Sequence, residues 1–167
     1  MTQESRRYAQ RTRVPAERSE TELRQYLARQ GAADVMTGVL GGHVVVAFKL
    51  RDRLIRFVIP LPDVAEARKQ VHQSRRGRRY TDADVQAWRE VAIRERWRAL
   101  VATVKARFVS IAARVETFEV AFFAHTVVPG TGGKTTAELA LPALAESYES
   151  GEPPSLARMM LGPGSAS

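Results

Sequence analysis

The chain contains no cysteine, which excludes disulfides and thiolate metal sites and leaves packing and hydrogen bonding to hold it together. Aromatic residues are only 7% of it, too few to coat a surface, so a ring beside positive charge stands out. No stretch approaches the ~18 consecutive apolar residues of a membrane span. The polar start of the chain carries Arg6, Arg7, Arg11 and Arg13 with no apolar segment behind them, unlike an export leader. These absences predict a cytoplasmic protein with no membrane contact. Carboxylates gather at the far end, at Glu138, Glu146, Glu149 and Glu152, while the middle is strongly basic.

What the chain has is arginine. Lys and Arg number 26 against 18 Asp and Glu, giving a formal charge of +8. Much of the excess lies between Arg68 and Arg107: Arg68, Lys69, Arg75, Arg76, Arg78 and Arg79, then Arg89, Arg94, Arg96, Arg98, Lys105 and Arg107. Guanidinium forks match phosphate oxygens and stack on bases, so this density points to a polyanion. The plain alternative is an Arg-rich and Ala-rich composition that binds nothing. Clustering around Gly77 favours the functional reading.

A length of 167 residues suits one domain with tails. Residues 1–15 lack an apolar period and read as a flexible basic arm, 16–150 as a single α+β domain, and 151–167, rich in Pro and Gly, as a flexible tail in which Leu156, Met159, Met160 and Leu161 could meet a partner. Ser19 and Glu22 have capping-box spacing, Leu23, Tyr26 and Leu27 recur at helical spacing, and Gly31 supplies a stop. A short helix starting near Pro15 follows.

A three-stranded antiparallel meander comes next. A turn at Gly41-Gly42 sets Val39 opposite Val44 and Thr37 opposite Val46; a turn at Asp52-Arg53 sets Leu50 opposite Ile55, Phe48 opposite Phe57 and Val46 opposite Ile59. One apolar face results: Val35, Val39, Val44, Val46, Phe48, Leu50, Ile55, Phe57, Ile59 and Leu61. A one-residue slip would mix Lys49 and Arg56 into it. Pro60 and Pro62 end the last strand, and residues 63–80 read as a basic loop.

Thr81 and Asp84 form a capping box, and helical periodicity runs from Val85 to about Ala124. Trp97, Val101, Val104, Phe108, Ile111, Val115, Phe118 and Phe122 make one apolar stripe; Arg94, Arg98 and Lys105 flank it on one side, Arg89, Arg96, Arg107 and Arg114 on the other. A helix of ~40 residues would reach ~60 Å, beyond what such a sheet covers. It therefore either breaks near Thr117 or gives a homo-oligomer a seam along 97–122. Val127 and Val128 read as a short extended piece, Pro129 to Gly133 as a turn, and Thr135 with Glu138 as the cap of a last helix through Leu139, Leu144 and Tyr148, interrupted by Pro142.

Candidate chemistries are weak. Gly130-Thr131-Gly132-Gly133-Lys134-Thr135 suggests a phosphate loop, but Val128 stands where its first glycine belongs and no buried strand precedes it. Asp63, Glu66 and Lys69 sit together after a strand and do not converge as nuclease carboxylates do. His43, His72 and His125 lack metal-ligand spacing, and no nucleophile elbow is present. No cofactor, metal or catalytic set is predicted, and the chain reads as a non-enzyme.

Arg53 to Pro62, Glu95 to Val101 with Lys105-Ala106, and Glu116 to His125 resemble a family of small phage- and prophage-encoded proteins, over about Ser19 to Glu149. The chain departs from it in the arginine-rich loop and at Gly130 to Lys134. The resemblance implies a phage or prophage setting and no reaction. The order helix, meander, long helix is also that of double-stranded RNA-binding domains and single-strand annealing proteins, an analogy without a shared motif. The expected function is a DNA-binding accessory of phage replication or recombination that grips the backbone without reading sequence. Its contacts would be Arg75, Arg76, Arg78, Arg79, Arg94 and Arg98, extended by Lys49, Arg51 and Arg56, with Tyr80 placed to stack on a base. DNA is favoured over RNA. The rival expectation is a protein-interaction module that inhibits or redirects a host protein, using the stripe beyond Ile111 and the Leu156 to Leu161 segment.

Overall fold

In a computed structural model the chain is described over residues 17–74 and 79–153. The architecture is α+β, as expected: a helix α1 at 17–29, strands β1 (Ala33–Leu40), β2 (His43–Leu50) and β3 (Arg53–Pro60) in spatial order β1-β2-β3, then helices. The arm and the tail segment Leu156 to Leu161 lie outside the described residues.

Helix α1 is already running at residue 17, so Ser19 is a buried position within it and not the cap its spacing suggested. The stop is as read. Gly31 takes φ 82° and the amides of Gly31 and Ala32 donate to the carbonyls of Ala28 and Leu27 at 3.0 Å, a Schellman ending that only a residue at ease in the left-handed region closes without strain. Leu23 and Leu27 are fully buried against the sheet.

The first hairpin has the expected register, Val39 opposite Val44 and Thr37 opposite Val46. The second does not. Its turn is Arg51-Asp52, with φ of 49° and 58°, and Leu50 faces Arg53, Phe48 faces Ile55 and Val46 faces Phe57. Either turn places Asp52 and one arginine in the left-handed region, Arg53 in the expected turn and Arg51 in the observed one, and the observed turn pairs β2 with β3 end to end from His43–Pro60 to Leu50–Arg53. The displacement is two residues. Side chains alternate with period two, so the apolar face survives: Val44, Val46, Phe48, Leu50, Ile55 and Phe57 are buried, and Val35, Ile59 and Leu61 pack at their margin. Val39 is the exception, 71% exposed beyond the reach of the helices.

Residues 63–80 are not a loop throughout. Val64–Ser74 form helix α2, begun by Asp63, whose carboxylate accepts the Glu66 amide at 2.6 Å, and anchored by buried Ala67 and Val71. Asp63 and Glu66 carry capping-box spacing; the surrounding charge concealed it. Arg75, Arg76 and Arg78 lie outside the described residues.

Helix α3 (Asp82–Ala112) starts at the expected box, with Thr81 and Asp84 bonding each other's amides. It ends at Ala112, well before Ala124. Arg114 turns the chain at φ 59°, and Thr117 caps a new short helix α4 (Phe118–Phe122). The break near Thr117 lets Phe118 and Phe122 fold back, with Phe122 5.4 Å from Phe108 and 6.1 Å from Phe48 between ring centroids. The apolar stripe of 97–122 is thereby consumed in the protein's own core at Trp97, Val101, Val104, Phe118 and Phe122 and is not a free seam for self-association.

A 3-10 turn (Phe123–His125) follows. Thr126 then bridges to Ile55 and the Val127 amide donates to Leu54 at 2.8 Å, covering that end of the outer edge of β3. After the Gly130–Gly133 turn, helix α5 (Thr136–Ser150) starts at the expected Thr135–Glu138 box, tolerates Pro142 in its interior and stops at Gly151, φ 73°.

Candidate nucleic-acid interface

The cations of α3 occupy two margins of the helix, and the structure treats them differently. On one margin each guanidinium grips a backbone carbonyl. Arg89 Nε donates to Pro62 O at 3.0 Å; Arg96 donates to Pro60 O and, at 3.0 Å, to Glu66; Arg107 donates to Ala121 O and lies over the rings of Phe57 and Phe122. These three fasten α3 to the end of β3, to α2 and to α4. They satisfy chain-end carbonyls that neither sheet nor helix pairs, so their charge serves folding. Arg68 is likewise drawn to Asp82 at 3.1 Å.

The other margin carries Arg94, Arg98 and Lys105. Lys105 binds Glu22 of α1 at 2.5 Å and covers the Tyr26 ring, and Tyr26 meets Phe108 edge-on at 5.7 Å. Contacts that advance together along both helices mean that α1 and α3 run in the same direction. The start of α1, with exposed Arg18, therefore lies toward Arg98 and Arg94. Arg98 is exposed and Arg94 half-buried, and among the described residues neither joins an ion pair, nor does exposed Arg79. Arg94 and Arg98 are one turn apart on one face. Arg79 precedes α3, whose first residue Asp82 lies about 18 Å back along the helix axis from Arg94, so on the described residues the positive surface is two patches.

The sheet-side cations do not join these patches. Arg56 binds Glu138 of α5, Lys49 lies 3.8 Å from Asp52, and Arg51 lies over the Phe118 ring at 5.2 Å. Tyr80 is half-buried and meets His72 edge-on at 6.2 Å. Of the residues expected to form the site, the structure brings together Arg94 and Arg98, sets Arg79 and Tyr80 at the start of the same helix, and places Lys49, Arg51 and Arg56 elsewhere. Sequence reading missed the carbonyl-gripping role of Arg89, Arg96 and Arg107. Their common margin was legible, but the carbonyls they meet depend on where β3 and α4 end.

The alternative chemistries find no geometry. The amides at the start of α5, where a phosphate loop would hold its ligand, face the Glu138 carboxylate, which accepts from Thr135 N at 2.7 Å. Burial raises the pKa of Glu138, but the Thr135 amide and hydroxyl and the Arg56 guanidinium outweigh it, so the carboxyl stays below its usual range. Asp63 is spent capping α2 and Glu66 is spent on Arg96. Among the described residues no group of His, Asp and Glu could hold a metal ion, and no helix is long and apolar enough to cross a membrane.

His125 is stacked on Phe57 at 4.1 Å between centroids, with Nε2 3.3 Å from Arg107. Burial first, then the Arg107 charge, hold its pKa below the usual histidine value, against a raising backbone bond at Arg56. The folded protein therefore prefers neutral imidazole. Its contribution to stability is full above the unfolded value of about 6.5 and is lost as pH falls below it, because the unfolded chain takes up a proton that the fold resists. Denaturant midpoints measured between about pH 7.5 and 5 are expected to fall on the acid side. His125→Phe should remove most of that dependence; a flat wild-type profile would contradict the packing.

No protein-family model, no curated protein and no solved structure matches the chain. The comparisons thus bear neither for nor against a phage origin.

Proposed function

We propose that the protein binds nucleic acid through its phosphate backbone, with DNA the first candidate, and that Arg94 and Arg98 with Arg79 and the adjoining Arg75, Arg76 and Arg78 carry the contact. The observation that supports this reading is the division of α3. Every arginine of α3 that the fold employs lies on one margin, while Arg94 and Arg98 hold no carboxylate or carbonyl among the described residues and add nothing to the core. Unpaired guanidinium groups on a chain of net charge +8 attract a polyanion over several ångströms and can then grip it by forked hydrogen bonds. Contacts of charge alone position a strand without reading bases, so sequence preference is slight. A role in phage replication or recombination rests on the resemblance alone, and no catalytic step is assigned.

The test is fluorescence anisotropy with labelled single-stranded DNA, duplex DNA and RNA of about 20 nucleotides, alongside polyglutamate, at about 50 mM salt. Binding of nucleic acid, indifferent to sequence and much tighter than that of polyglutamate, is expected. Absence of nucleic-acid binding, or equal binding of polyglutamate, would transfer the basic surface to an acidic protein partner.

A further inference from the structure

Strand β1 is the free edge of the sheet. The opposite edge, β3, is covered at its Leu54–Ile55 end by Thr126 and Val127. On β1 the pair Leu40–His43 closes a two-residue turn, so the amides and carbonyls of Leu40, Gly38 and Met36 point inward to β2 and those of Val39, Thr37 and Val35 point outward. The bond from Arg24 to the Val35 carbonyl, at 2.9 Å, agrees with that alternation and occupies that outward carbonyl. Thr37 and Val39 keep their outward groups unpaired within the sheet.

Proteins usually blunt such an edge with lysine, proline or a bulge. Here the irregularity lies before Met36, and from Val35 to Gly42 the strand itself carries neither charge nor proline, although Arg24 and Glu20 of α1 bond the Thr37 hydroxyl. The most exposed apolar side chains of the sheet gather there instead: Met36 at 61%, Val39 at 71% and Leu40 at 76%. Gly38 at the centre has no reason to be glycine within one copy. Its φ is not positive and an added Cβ would meet nothing within 4 Å. A glycine inside a strand weakens it and commonly marks the close approach of another backbone.

The order of residues names the occupant. Met36-Thr37-Gly38-Val39-Leu40 reads nearly alike in both directions: long apolar, β-branched, glycine, β-branched, long apolar. The geometry points to a second copy of this chain, paired antiparallel through β1 about a two-fold axis at Gly38. Thr37 then lies opposite the second copy's Val39, and each such pair exchanges both of its amide–carbonyl bonds. Met36 lies opposite the second copy's Leu40, and the four side chains close over the bare glycines on the sheet face away from α1. An isologous contact of this kind needs a self-complementary patch, which an uncharged near-palindrome supplies. A foreign strand would have no use for the symmetry. The contact of one strand pair is small, below about 1,200 Å², so the dimer is expected at micromolar rather than nanomolar concentration.

The test is sedimentation equilibrium of the full chain from about 5 to about 500 µM, without nucleic acid. The expected mass rises from 18.6 kDa toward twice that. Val39→Pro removes only an outward amide and should leave the denaturant midpoint close to wild type while weakening association at least tenfold. Val39→Lys, which keeps every backbone bond, should do the same by charge. A wild-type mass fixed at one chain overturns the proposal, as does association that survives both variants, since it would then run through another surface. Binding only to an added foreign strand peptide would also overturn it.

Discussion

Phe122→Ala is expected to cost about 3–5 kcal/mol of folding stability, the usual toll of truncating a fully enclosed aromatic ring. Phe122 is 0% exposed, and its ring meets Phe118 at 5.2 Å, Phe108 at 5.4 Å, Phe48 at 6.1 Å and Phe57 at 6.5 Å between centroids. It is where α4, α3 and two strands converge. Nothing nearby can collapse into the space, because Phe48 and Phe57 are fixed by the sheet register and Phe118 by the Thr117 cap. In a chain of this size the loss corresponds to a melting temperature lower by on the order of 10 °C. Val120 is on the same short helix but 63% exposed, and Val120→Ala should stay within about 0.5 kcal/mol of wild type. Urea midpoints of the two variants give the comparison. A Phe122→Ala penalty below about 1 kcal/mol would mean that the stripe beyond Ile111 does not fold back and is available to a partner after all.

The double variant Arg94→Glu with Arg98→Glu is expected to weaken DNA binding by more than a hundredfold. Each charge-assisted hydrogen bond is worth about 1.5–3 kcal/mol, and reversal adds repulsion of the phosphates to the loss of both. Neither residue holds another element in place among the described residues, so the unfolding midpoint should move little. The matched control is Arg29→Glu with Arg53→Glu, the same change in net charge at two exposed positions away from that margin. If the control weakened binding as much, general charge would be responsible and the margin would lose its special role. Arg89 and Arg96 are unsuitable controls, since removing them frees the carbonyls of Pro62 and Pro60.

The fold was largely legible because its signals are local. The Gly41-Gly42 turn, the boxes at Thr81–Asp84 and Thr135–Glu138 and the stop at Gly31 depend on neighbours within a turn of chain. The second hairpin shows where such reading fails. Two candidate turns one residue apart preserve the same apolar face, and each sets Asp52 beside an arginine in the left-handed region, so neither alternation nor turn chemistry chooses between them. Helix α2 was hidden by charge, although Ala67 and Val71 keep helical spacing beneath it. The candidate site was less legible than the fold. Arg89, Arg94, Arg96 and Arg98 look alike in sequence, and only tertiary contacts tell the carbonyl-gripping arginines from those with no internal partner. Lys49, Arg51 and Arg56 were grouped with them by charge; the structure sends Arg56 to Glu138, a partner 82 residues away.

The most direct measurement is the dependence of DNA affinity on salt between about 50 and 200 mM, for wild type and for the Arg94→Glu/Arg98→Glu variant. With about six phosphates neutralised by Arg75, Arg76, Arg78, Arg79, Arg94 and Arg98, the log–log slope is predicted near −4 to −5, a fall of more than a hundredfold over that range. The variant should be flatter by about 1.5 to 2. A wild-type slope near zero, or one that the variant leaves unchanged, would contradict the assignment of that margin of α3 to a phosphate backbone.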